Sequence, residues 1–166
     1  MAGLVGWESF GVMTGGASGA LTGLLFVAVS LNAERIAGHP VLRAIAAQTL
    51  VLFLAPLVMA TVLLVPRQPD WALGTEFITA GLNGNVSLLV IERRKRRVAN
   101  VPRRRAGLFD RRDTGIVVML LFVAGGAVLA CGLPTGLYLL LPASVVAFVS
   151  GVLSAWNFLL PPPDVM

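Results

Sequence analysis

The chain has 166 residues, of which 57% are hydrophobic and 13% charged, and a formal charge of +5. Soluble domains run at roughly 45–50% and about 25% on these measures, so the composition argues against a soluble core and for one domain in lipid, where apolar surface need not be hidden. A single cysteine, Cys131 in an apolar run, excludes an internal disulfide and a CxxC metal site, and ten of the thirteen basic residues crowd between Arg93 and Arg112, which makes the charge a local feature.

The segment from Met1 to Phe10 carries Glu8 and no Lys or Arg, so it lacks the basic region of a secretory signal and reads as retained. Uncharged stretches long enough to span a bilayer follow at 10–31, 44–65, 115–133 and 138–160. A fifth stretch, 71–91, contains Glu76, Thr75, Thr79, Asn83, Asn85 and three glycines, and would insert with help from its neighbours. Asn32 to Val41 reads as a loop ended by His39-Pro40. Pro56 in the middle of the second span predicts a kink, and Leu133 to Gly136 a tight turn.

Lys and Arg accumulate on the cytoplasmic side, which places the 92–112 loop inside. If 71–91 crosses, Arg35 and Arg43 are also inside, only Arg67 is outside, and twelve basic residues face in against one out. If it does not cross, Arg35 and Arg43 are exported. The first assignment is the better one, and it puts Trp7, Trp71 and Tyr138 at the outer interface and Trp156 near the inner one.

Four features carry candidate functions. Gly11, Gly15, Gly19 and Gly23 form a small-residue ridge at four-residue spacing, expected to pack another helix of this chain or of a second copy. Beside it run Thr14, Ser18 and Thr22, whose hydroxyls can bond back to the preceding turn or line a polar path. In the third span Glu76, Thr79, Asn83 and Ser87 project within a sector of about 80°, and ionisable or amide groups in a span are functional candidates. The run Arg93, Arg94, Lys95, Arg96 and Arg97, with Arg103 to Arg105 and Arg111-Arg112 beyond it, suits anionic lipid headgroups. Nucleic acid would want interleaved aromatics, and the loop offers only Phe109.

No catalytic group emerges. Gly16-Ala17-Ser18-Gly19 matches the GxSG around the nucleophile of rhomboid intramembrane proteases, yet a serine nucleophile needs a base within reach. The one histidine, His39, is 21 residues away at the opposite face. There is no HExxH, paired-histidine, Walker or Rossmann pattern, so no metal or cofactor is expected.

The residues Phe10-Gly11, Gly15 to Gly23, Leu24 to Asn32, Pro40 to Arg43 and Gln48 to Leu50 resemble a family of small multi-pass membrane proteins of high-GC actinobacteria. Some members of that family are labelled modulators of a membrane-anchored ATP-dependent protease. The resemblance covers most of the chain, least in the basic loop; it implies a bacterial plasma membrane and a non-enzymatic role, and supplies no catalytic residue.

The expectation is therefore an all-α integral membrane bundle of five transmembrane helices in one domain, residues 1–166, with the N-terminus out and the C-terminus in. Such a protein would act through protein or lipid contacts as a regulator, accessory subunit or scaffold, with membrane lipids and another membrane protein or a second copy as partners and no nucleic acid. The competing expectation is a homo-oligomeric channel or transporter whose polar path follows the first and third helices.

Overall fold

The computed structural model describes residues 6–99 and 111–159. Among the described residues the fold is all-helical: α1 (Trp7–Leu31), α2 (Ala33–Gly38), α3 (Pro40–Leu63), α4 (Asp70–Ala99), α5 (Arg111–Ala130), a 3-10 turn (Pro134–Leu139) and α6 (Leu140–Leu159). Among the described residues three segments are long and apolar enough to cross a membrane: Trp7–Leu31, Pro40–Leu63 and Pro134–Trp156. Thr114–Ala130 is apolar but shorter, and α4 does not meet that measure.

Each expected span corresponds to one long helix, and the ends differ for physical reasons. α4 runs on from the apolar stretch through Arg93 to Arg97 to Ala99, because Arg and Lys are good helix formers. Its 30 residues extend about 45 Å, more than the ~30 Å of a hydrocarbon core. Inside the expected first loop, Ala33–Gly38 forms α2, which ends before His39 in an extended conformation. Pro40 then starts α3 at the position where its missing N–H is no loss. Pro56 lies within α3, which is assigned as one uninterrupted helix. The expected turn at Leu133 to Gly136 becomes the 3-10 turn, entered through Gly132 at φ 82.

The long helices alternate in direction. Gly11 of α1 lies against Leu63 and Leu64 of α3, and Gly15 against Ala60. At the other end of α3, Gln48 meets Glu92 of α4. Gly74 meets Ala130 of α5 while Leu88 meets Gly115, and Phe53 of α3 sits on Gly151 of α6. One end of the bundle thus gathers Arg35, Arg43 and Arg93 to Arg97; the far end gathers Trp7, Arg67, Cys131 and Tyr138. The Trp7 ring stands edge-on to Tyr138 at 5.2 Å and to Phe10 at 5.5 Å, tying the start of α1 to the start of the last helical segment. Exposed Trp71 joins this end, and exposed Trp156 lies toward the basic one.

A close seam joins α4 to α5, through glycine. A Cβ on Gly74 would lie 2.6 Å from both the Gly126 carbonyl oxygen and the Ala130 nitrogen. One on Gly126 would lie 2.7 Å from the Gly74 carbonyl oxygen, and one on Gly81 2.9 Å from that of Met119. Backbone meets backbone there, the contact that replaces hydrophobic drive inside lipid. Around the seam lies the main core, built on Leu52, Met59, Phe77, Met119, Phe122 and Leu140. A smaller cluster, centred on Leu25 and Phe53, lies beneath α1.

Candidate functional site

Two of the sequence ridges lie on α1, and the structure separates them. The buried positions are Gly11, Thr14, Ser18 and Leu25, the three- and four-residue spacing of a face turned to α3. Four glycines at strict four-residue spacing cannot stay on that face, because each step overshoots a turn by about 40°. Gly11 and Gly15 therefore contact α3, whereas a Cβ on Gly19 or Gly23 would meet nothing within 4 Å.

The hydroxyls occupy the vacated centre of the contact. Ser18 is fully buried and donates to the Phe53 carbonyl of α3. That carbonyl lies three residues before Pro56, next to the Leu52 carbonyl that proline leaves without its intrahelical donor, and Ser18 adds a bond between the two helices there. Thr14, 1% exposed, and Thr22 have buried hydroxyl oxygens with no hydrogen-bond partner among the described residues. The GxSG serine is thus spent on a helix contact. His39 is exposed at the basic end, with Nδ1 2.9 Å from the Arg35 carbonyl.

On α4 the arrangement is reversed. Leu73, Phe77, Gly81, Leu88 and Glu92 are the buried side. Thr75, Thr79, Asn83 and Ser87 lie on the opposite side and are exposed, with Glu76 half-buried beside them. Each of these four side chains bonds its own helix: Thr75 donates to the Ala72 carbonyl at 2.7 Å, Thr79 to that of Glu76 at 2.9 Å, Asn83 to that of Thr79 at 2.9 Å and Ser87 to that of Asn83 at 2.8 Å. These bonds satisfy part of the hydrogen-bonding capacity of the exposed polar groups without exhausting it. Asn83 keeps its amide oxygen and one N–H, and Ser87 its lone pairs. Both border a cavity of about 330 Å³ between α3 and α4, walled by Val51, Leu54, Ala55 and Val58 and floored by Met119 and Phe122 of α5.

The α1 and α4 ridges do not line a common wall. α1 packs on α3 and α6, and α4 packs on α3 and α5. The α1 hydroxyls turn toward α3, while the α4 stripe is exposed, with Asn83 and Ser87 at the edge of the cavity between α3 and α4.

At the basic end, Arg93, Arg94, Arg96 and Arg97 are exposed and Lys95 is half-buried. Arg103 to Arg105 lie outside the described residues. Glu92, 8% exposed, is the acid that organises this end. Its carboxylate accepts from Arg96 Nε at 2.9 Å, pairs with Lys95 at 3.8 Å, and faces Gln48 Nε2 of α3 at 3.5 Å. A cavity of about 20 Å³, also lined by Leu52, Leu88 and Gly115, lies beside this contact and is large enough for one water.

Sequence reasoning missed the Gln48–Glu92 contact and the α4–α5 glycine seam. No local pattern announces a pair 44 residues apart. The seam did leave a signal, since Gly74, Gly81 and Gly84 share the face of α4 that carries Phe77 and Leu88. Searches of this chain against protein-family models, curated proteins and solved structures each return no match.

Proposed function

We propose that the chain is an integral membrane protein of five crossings, N-terminus out and C-terminus and basic end in the cytoplasm of a bacterial plasma membrane. It acts without chemistry of its own, as an accessory subunit, regulator or scaffold that engages a partner in the plane of the membrane through α4. The observation that carries this reading is the direction of the α4 stripe: Thr79, Asn83 and Ser87 are exposed on a helix whose other face is packed into the core. On a spanning helix that side would face lipid, where an amide and hydroxyls are disfavoured unless another helix covers them. The resemblance to actinobacterial multi-pass proteins supports the same non-enzymatic role.

A photoreactive side chain at Val86, exposed on α4, is expected to give a discrete protein adduct in native membranes, and one at Val149, exposed on α6, only lipid adducts. Adding Asn83→Leu should reduce the Val86 adduct. Lipid adducts alone at both positions would remove the docking role of α4. Ion flux through liposomes holding pure protein, abolished by Asn83→Leu, would replace it with a pore.

A further inference from the structure

α3 and α4 leave a furrow between them. At the basic end it opens into a cavity of about 520 Å³ walled by Arg43 of α3 and by Arg94, Lys95 and Arg97 of α4, with Ala47 and Ile91 supplying apolar wall. Deeper lies the 330 Å³ cavity beside Asn83 and Ser87. On α3 the lining positions run 40, 43, 44, 47 and then 51, 54, 55, 58, 59; on α4 they run 97, 95, 94, 91 and then 87, 84, 83, 80, 77. Advances of three and four residues, with neighbours such as 43 and 44 or 83 and 84 side by side, keep to one broad face of each helix. The two cavities are therefore successive stretches of one furrow, cationic at its mouth and mainly apolar below.

The mouth is arranged for a fixed anion. Arg43 Nη2 donates to the Ala37 carbonyl at 2.6 Å, which holds the guanidinium at the rim and leaves other N–H donors for a ligand. None of the residues lining either stretch is a carboxylate. Glu92 borders the small cavity shared with α5 and pairs with Lys95 at 3.8 Å, so of the four cations at the mouth Lys95 is the one with a carboxylate beside it. From Arg43 to Val58 the furrow follows about 22 Å of α3, more than the ~15 Å depth of one leaflet's hydrocarbon. A free phosphate would use only the mouth.

We infer that this furrow binds one anionic phospholipid, its phosphate among Arg43, Arg94, Lys95 and Arg97 and one acyl chain lying along α3 toward Met119 and Phe122. The inference rests on the reading that the bundle is embedded with its basic end at a headgroup layer. It differs from general attraction of a basic loop to a membrane in requiring Arg43, which is about fifty residues from the basic run.

The test is native mass spectrometry of detergent-purified protein titrated with phosphatidylglycerol or phosphatidylcholine. Wild type should retain one phosphatidylglycerol in preference to phosphatidylcholine. Arg43→Gln with Arg94→Gln should weaken that retention roughly tenfold, whereas Arg35→Gln with Arg93→Gln, an equal loss of charge outside the furrow, should change it less than about twofold. Arg94→Gln with Arg97→Gln serves if the first pair does not purify as folded protein. Ala80→Leu, which narrows the apolar stretch without touching charge, should weaken retention too. Equal losses from the two pairs, no preference between the lipids, or displacement of the lipid by millimolar inorganic phosphate would overturn the inference. Failure of the underlying reading shows separately, as protein that alkaline carbonate extracts from cell membranes.

Discussion

α1 and α4 use the same small alphabet in opposite ways. α1 buries its hydroxyls and turns Gly19 and Gly23 outward; α4 buries Gly74 and Gly81 and turns its hydroxyls and Asn83 outward. The difference follows from what each helix packs against. α1 meets α3 with enough space for a serine, which donates to the Phe53 carbonyl across the contact. α4 meets α5 at backbone distance, where any side chain is an obstruction. A glycine ridge is a packing face only where its spacing keeps it on the buried stripe.

The largest effect expected from breaking this comparison is at the α4–α5 seam. Gly126→Leu places atoms against the Gly74 carbonyl and the Ile78 nitrogen, which no rotamer change relieves, so it should cost about 3 kcal/mol or more and abolish a monodisperse product. Gly23→Leu on α1 should leave the bundle folded, within about 0.5 kcal/mol of wild type by reversible unfolding in detergent. If the two variants behave alike, the assignment of the seam is wrong.

Next comes the pair of serines. Ser18→Ala removes the bond to the Phe53 carbonyl and should cost about 1 kcal/mol, while Ser87→Ala, whose hydroxyl bonds only its own helix on an exposed face, should change stability by less than about 0.5 kcal/mol. Unfolding of both variants under identical conditions checks the order.

A smaller loss should follow Glu92→Gln. It weakens the ion pairs to Lys95 and Arg96 and the contact with Gln48, together about 0.5–1 kcal/mol. Because the pairs to Lys95 and Arg96 are partly exposed, the difference should shrink in 1 M salt, where the screening length is about 3 Å.

The helices were legible in the sequence because hydropathy reports the apolar middle of each element: 10–31 lies within α1, and 71–91 within α4. Their polar ends were not, since Arg93 to Arg97 prolong α4 by propensity rather than by burial. The three glycines of 71–91 read as weakness in a span, but Gly74 and Gly81 are what lets α4 approach α5. For α1 the spacing of Gly11 to Gly23 was plain, yet its drift around the helix decided that only the first two touch α3. The sector holding Thr79, Asn83 and Ser87 was legible as a stripe; which way it faces depends on α3 and α5, which no periodicity within α4 can specify. The furrow mouth joins Arg43 to Arg94 and Arg97 across a helix pair, and only the fold brings them together.

The central claim is that α4 crosses the membrane, leaving Pro66 and the basic run on opposite sides. Thiol labelling in intact cells tests it, on a Cys131→Ser background with single cysteines replacing exposed Pro66 or exposed Arg93. Position 66 should react with an impermeant maleimide from outside, and position 93 only after permeabilisation. Labelling of both from the same side would contradict the five-crossing account and leave α4 lying on the membrane rather than through it.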